Sequence, residues 1–173
     1  AIKTDTGTER TAQISKLNDI LATINTADVF TLKPFTTPVA ADTRRSSGFG
    51  DRRIYEFSTG KTSANLHYGI DYAVPAGTDI HACGDGKVML AENRISTGWS
   101  VVIEHAPGVY SLYYHMNSLN VKEGENVRQG EKIGVSGATG LATGPHLHWE
   151  IRMNMEAVSP DFFTSDYAFS GKN

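Results

Sequence analysis

One cysteine, Cys83, stands in 173 residues. No internal disulfide can form and no thiolate-rich zinc cage can be built, so Cys83 reads as a small buried apolar side chain rather than a nucleophile. No stretch approaches the roughly 20 apolar residues that a membrane span needs. The formal charge is only −3 and no run of Lys or Arg occurs, which leaves no electrostatic footprint for nucleic acid or a membrane surface. No GxGxxG or P-loop pattern precedes a helix, so no nucleotide site is assigned. Long internal repeats and low-complexity tracts are absent too. What remains, 39% hydrophobic and 20% charged, reads as a soluble globular protein with length for one domain and too little for two. The chain begins at Ala1 with neither methionine nor signal peptide, the expectation for a processed or trimmed form whose targeting information has been removed.

Residues 1–10 are polar and read as loose. From about Thr11 to Ala27, Ile14, Leu17, Leu21 and Ile24 recur at three- and four-residue spacing, the pattern of a short amphipathic helix that acts as a packing element or linker. Thr36-Thr37-Pro38 and the polar run Ala41 to Ser47 read as a connection. Beyond Ser47, short segments rich in Val, Ile and Tyr alternate with Gly, Asn, Asp and Pro turns. The segments are 53–57, 69–73, 78–81, 86–91, 100–104, 109–114, 132–136 and 146–152, and they predict a mostly β domain of hairpins. Glycines crowd between Gly124 and Gly144, where turns of positive φ account for them better than phosphate binding. The aromatic residues of the tail, Asp161–Asn173, are expected to dock on the domain before the end frays.

Three segments carry candidate chemistry. In Gly144-Pro145-His146-Leu147-His148-Trp149-Glu150 the two imidazoles are two residues apart. On a strand they share a face, while Leu147 and Trp149 point into a core. Far upstream, His67 and Asp71 lie four apart in His67-Tyr68-Gly69-Ile70-Asp71, where Gly69 and the β-formers around it favour a strand that again puts both on one face. His115, in Tyr113-Tyr114-His115, lies between. His67, Asp71 and one histidine of the HxH pair supply N, O and N ligands. That is a catalytic zinc set with a fourth position open to water, whose pKa zinc lowers to about 7. The remaining HxH histidine and His115 are then placed for proton transfer and for stabilising an oxyanion. Spacing alone does not say which of His146 and His148 is the ligand. Taken singly, each histidine is more often a hydrogen-bonded core or surface residue than a ligand; the combination and its order give the reading its force. His81 and His105 belong to no such set and read as structural. Glu150 reads either as a hydrogen-bond partner behind a ligand or as a cross-strand partner for a basic residue.

From about Ser47 to Arg152 the chain resembles the M23 zinc metallopeptidases, the lysostaphin and LytM type of cell-wall endopeptidase. The resemblance is carried by Ser47-Gly48-Phe49-Gly50-Asp51-Arg52, His67-Tyr68-Gly69-Ile70-Asp71-Tyr72, Gly77-Thr78-Asp79-Ile80-His81-Ala82, Asp85-Gly86-Lys87-Val88 and Tyr113-Tyr114-His115-Met116. Val127-Arg128-Gln129-Gly130-Glu131-Lys132-Ile133-Gly134 and Thr143-Gly144-Pro145-His146-Leu147-His148-Trp149-Glu150 complete it. It implies a mostly β fold: a compact antiparallel β-sheet domain with a groove, preceded by a short N-terminal α-helix. It further implies that His67, Asp71 and His148 hold Zn2+, that His115 and His146 are the catalytic pair, and that the substrate is a peptide of bacterial peptidoglycan.

The organisation that follows is an N-terminal segment 1–33, a peptidase domain 34–160 and a tail 161–173. The resemblance also implies a place of action outside the cytoplasm, periplasmic or secreted. Some members of the family have lost the ligands and act as non-catalytic wall-binding or hydrolase-activating modules, and a helix over the groove would make a latent enzyme. This sequence keeps every ligand position, which implies catalysis. Met116 and Trp149 replace the commoner Leu and Phe as conservative packing changes. The segment between Arg52 and His67 is longer than in compact members and is expected to form a hairpin at the groove edge that influences which peptide fits.

Overall fold

The computed structural model describes residues 7–56, 60 and 62–165. The elements in chain order are α1 (Thr8–Ala22), β1 (Arg45–Ser47), β2 (Arg52–Glu56), β3 (Thr62–Leu66), β4 (Ile70–Tyr72), β5 (Asp79–His81) and β6 (Gly86–Arg94). They continue with β7 (Gly98–Ala106), β8 (Val109–Leu119), β9 (Asn126–Val127), β10 (Lys132–Ser136), β11 (Leu147–Met153), β12 (Glu156–Val158) and α2 (Pro160–Phe163). Ten strands form one antiparallel sheet whose spine runs β1-β4-β11-β8-β7-β6-β9, with β10 bridging β5 and β8 and β12 added beside β11. The mostly β expectation and all eight expected strands hold.

Four strands lie outside the expected segments, one of them, β3, foreseen only as part of the hairpin expected between Arg52 and His67. β1 and β3 lack apolar alternation, and β9 is two residues long. β12 follows a turn at Asn154 and Met155, both at positive φ (49° and 71°). Tight hairpins favour that geometry, yet no glycine marks it. The helix starts earlier than expected and stops at Ala22. There the side chain of Asn25 accepts from the Ala27 amide and donates to Asp28, a local turn that competes with helical bonding.

Strand alternation divides the sheet's side chains between two faces. One face packs Ile70, Tyr72, Val101, Ile103, Tyr113, Leu147, Trp149 and Ile151 into the main core, closed by Phe35 and Phe163 stacked at 5.5 Å. The tail expectation holds for Phe163; residues 166–173 lie outside the described region. The opposite face has two halves. Over one, Leu17, Ile20 and Leu21 of α1 pack on Leu90, Val102, Tyr110 and Leu112. Gln13 secures this position by accepting from the Ile95 amide through its side chain and from Arg94 through its carbonyl. Ile14 and Ile24 of the expected apolar stripe stay exposed. The other half is an open cleft. The hairpin expected between Arg52 and His67 forms, as β2 and β3 paired in a separate small sheet at the cleft edge; residues 57–59 and 61 of its tip lie outside the described region.

Candidate metal centre

Register brings the distant segments together. β11 lies between β4 and β8, with His148 opposite Asp71 on one side and Tyr114 on the other. His67 enters just before β4. The intervening Gly69 is obligatory, because a Cβ there would run into the Trp149 carbonyl. His148 projects to the cleft while Leu147 and Trp149 are fully buried behind it.

Three ligand-type atoms converge. His67 Nε2 is 3.0 Å from Asp71 Oδ1 and 2.9 Å from His148 Nδ1, and the last two are 2.7 Å apart. All three residues are buried. The far side of each ring is tied. His67 Nδ1–H donates to the Gly48 carbonyl at 2.7 Å, and His148 Nε2–H donates to Glu150 at 2.9 Å. Glu150 also pairs with Arg152, two residues on along the same strand, so its basic partner is a neighbour within β11 and not the cross-strand one expected. With those tautomers fixed, the inner nitrogens present lone pairs to a carboxylate oxygen, an arrangement that calls for a cation between them.

The electrostatics agree. Burial opposes charge on His148, but Asp71 and Glu150 outweigh it and push its pKa up to about 9. Burial likewise opposes ionisation of Asp71, and its hydrogen bonds to His148, His67 and Arg53 win, holding it well below the usual carboxylate range. A site that concentrates negative potential on a proton fits a divalent metal, and two imidazoles with one carboxylate are ligands that zinc accepts. Asp71 Oδ2 faces outward and is paired with Arg53 of the hairpin.

His115 and His146 flank this centre without joining it. Their rings lie 4.7 Å apart, and His115 is 6.3 Å from His148, centroid to centroid. His115 sits at φ 62°, where the β7–β8 register slips. This bulge turns two consecutive residues to the same face. Tyr114 stacks on His148 at 5.5 Å, and His115 still reaches the cleft. His115 Nδ1–H donates to the Thr139 carbonyl at 2.8 Å, and His146 Nδ1–H donates to the Gly144 carbonyl at 2.9 Å, so each directs Nε2 away from its anchor. Burial, with the neighbouring imidazoles, pushes the pKa of His115 down to about 4 and keeps it neutral.

All five expected residues therefore line one site. His105 does not: it is buried in the core, bonded to the Asp85 carbonyl and Ser111, as its structural reading required. His81, on β5, belongs neither to the cluster nor to the cleft lining. Sequence reasoning missed Arg53 and the Gly48 and Thr139 carbonyls. Only the Gly48 carbonyl had a signal, the Ser47–Asp51 motif, whose Asp51 accepts from Ser47 and the Gly48 amide and shapes that loop.

The cleft holds about 640 Å³, and the centre forms its floor. Its walls are Arg44 just before β1, Ser46 of β1, the hairpin residues Arg53 and Ile54 and the loop residues Leu141, Thr143 and Pro145. Among the described residues, none of α1 lines it, so the helix lies beside the groove rather than over it.

An antiparallel sheet carrying a two-histidine, one-carboxylate centre in an open groove, with two further histidines alongside, defines a class of metal-dependent hydrolase. Residues 65–160 match peptidase family M23, and the chain belongs to that family. It is 46% identical over 118 residues to the DD-carboxypeptidase/endopeptidase Mpg of Neisseria meningitidis, spanning 68% of this chain and 26% of the relative. It is 40% identical over 114 residues to the peptidoglycan DD-endopeptidase ShyA of Vibrio cholerae, spanning 66% of this chain and 26% of that one. A zinc-containing peptidase from Vibrio cholerae shares the fold at a TM-score of 0.62 and 34% identity, over 76% of this chain and 39% of the other. The chain thus spans about a quarter of the length of these curated relatives.

Proposed function

We propose that the chain is the catalytic part of a zinc endopeptidase that acts outside the cytoplasm on peptide cross-links or stem peptides of bacterial peptidoglycan. The observation that carries this reading is the convergence of His67 Nε2, Asp71 Oδ1 and His148 Nδ1 on one point, beside two imidazoles that are not part of that cluster. His67, Asp71 and His148 would hold the zinc ion. Bound there, zinc supplies a water of lowered pKa and polarises the amide carbonyl. The neutral Nε2 of His115 takes up a proton, which the resulting imidazolium can then donate to the carbonyl oxygen as charge develops, and His146, its ring 4.7 Å away, serves the same groove. Between them they return a proton to the departing amine, so the C–N bond breaks to a carboxylic acid and an amine. Glu150 and the Gly48 carbonyl hold the ligand rings in the tautomers that metal binding needs. The names of the relatives favour peptidoglycan as substrate, and the ample open cleft suits an extended peptide. No helix of the described residues is long and apolar enough to cross a membrane.

The test is product analysis by mass spectrometry. Muropeptides of several cross-link types are incubated with zinc-loaded wild type and with His115→Asn, a replacement that tolerates the left-handed backbone at that position. Release of peptides by the wild type alone supports the reading, and the masses name the bond. Intact muropeptides of every type, with zinc confirmed bound, would count for a non-catalytic wall-binding or hydrolase-activating module.

A further inference from the structure

The cleft is cationic on one wall. Besides its histidines, Arg44, Arg53 and Asp71 are the charged residues that line it, two guanidiniums against one carboxylate already committed to the centre. Arg44 stands at the mouth of β1, where its carbonyl accepts from the Ala73 amide. Ala73 follows β4 directly, two positions beyond Asp71 and about 7 Å along the extended chain, and it lines the same cleft.

Neighbouring Arg45 makes an instructive contrast. It turns to the other face, lies over the Tyr72 ring and is neutralised by Asp161 through two hydrogen bonds of 2.6 and 2.9 Å. Among the described residues no carboxylate pairs with Arg44. Arg53 reaches in from the hairpin and contacts the outer oxygen of Asp71, so it faces the cleft within one side chain's width of the centre. A guanidinium held in a groove beside the reacting carbonyl matches a carboxylate.

We propose that Arg44 and Arg53 form an anion subsite for a free carboxylate on the carbon next to the scissile nitrogen. This rests on the peptidase reading and narrows its substrate class. A carboxylate in that position is carried by a chain-terminal amino acid, and by a diamino diacid such as diaminopimelate when it forms a direct cross-link. It is not carried by a glycine bridge, whose next carbonyl is a neutral amide. The subsite favours substrates whose departing residue is an acid, and it positions them by holding the amine side while the centre holds the carbonyl.

Two pairs of probes test this. One is a linear peptide ending in D-alanine, the other a dimer cross-linked through diaminopimelate, each made as the free acid and as the carboxamide at the departing residue. Hydrolysis is followed with zinc-loaded wild type, and binding by calorimetry with zinc-loaded His115→Asn. The acid of at least one pair should be cleaved and bound about ten- to a hundred-fold better than its carboxamide. The pair that shows this names the source of the carboxylate. In Arg44→Gln that preference should collapse, and Arg44→Lys should restore part of it.

Equal handling of acid and carboxamide by the wild type, or a preference that survives Arg44→Gln, would overturn the subsite while cleavage itself upheld the peptidase. Tighter binding of the acid that falls in Arg44→Gln, with no hydrolysis of any probe, would uphold the subsite and sink the peptidase. Neither binding nor cleavage of any probe would sink both.

Discussion

The protein buries histidines in two settings, one alone in the core and a pair at the centre, and they differ in what their nitrogens face. His105 is enclosed in the core: Nδ1–H donates to the Asp85 carbonyl at 2.7 Å, and Nε2 lies 2.7 Å from Ser111 Oγ. Each nitrogen has a fixed partner of its own, and Phe35 covers the ring at 4.6 Å. His67 and His148 are nearly as buried. Each ties only its outer nitrogen to a partner of its own, and both inner nitrogens crowd the same Asp71 oxygen. Burial alone is therefore no sign of function. Convergence of acceptors on one point is, because it leaves a charge that something else must supply.

The sharpest way to break this contrast acts on the residues beside the centre. His115→Asn should keep the backbone at φ 62° and the metal, yet lower kcat by about a hundred- to ten-thousand-fold, the usual contribution of a positioned acid–base group. Steady-state kinetics together with metal analysis checks it. A milder change is Glu150→Gln, which leaves His148 without its charged partner and should weaken zinc affinity about ten- to a hundred-fold. Competition with a chelator of known affinity measures that loss. Unchanged affinity would mean that the outer bond does not tune the ligand.

The smallest effect belongs to His105. Burial, the dominant cause, pushes its pKa down to about 4 from an ordinary 6.5. Between those values the unfolded chain takes up a proton and the folded chain does not, so stability falls as pH drops through that window. The loss is about 3 kcal/mol at most. Denaturant titrations from pH 7 to pH 4 should show a flatter decline for His105→Gln than for wild type. Parallel declines would mean that His105 does not carry the effect.

Much of this was legible because strand alternation and ligand identity are written directly in the chain. The period-two placement of His146, Leu147, His148 and Trp149 dictated which side chains face the cleft. Gly69 between His67 and Asp71 turned out to be the point where β11 passes too close for a Cβ. What stayed hidden depends on local geometry without a composition signal. The bulge at His115, which puts Tyr114 and His115 on one face, has no glycine to announce it. The Thr139 carbonyl that orients His115 is a backbone atom 24 residues away, and any residue type could supply it. Arg53 reads in sequence as one more surface charge, and only the β2–β3 hairpin carries it over Asp71. Spacing alone could not choose between His146 and His148, and the resemblance of the motifs implies His148 as the ligand. In the structure His148 touches Asp71 at 2.7 Å, while His146 Nε2 stands 3.9 Å off.

The central claim is that one imidazole of the HxH pair holds the metal and the other works beside it. Its most direct test is the zinc content and turnover of His148→Ala and His146→Ala, measured in parallel after equilibration with limiting zinc. The account predicts that His148→Ala loses both metal and activity, and that His146→Ala keeps its metal while losing most of its turnover. Equal loss of metal from the two variants would contradict it.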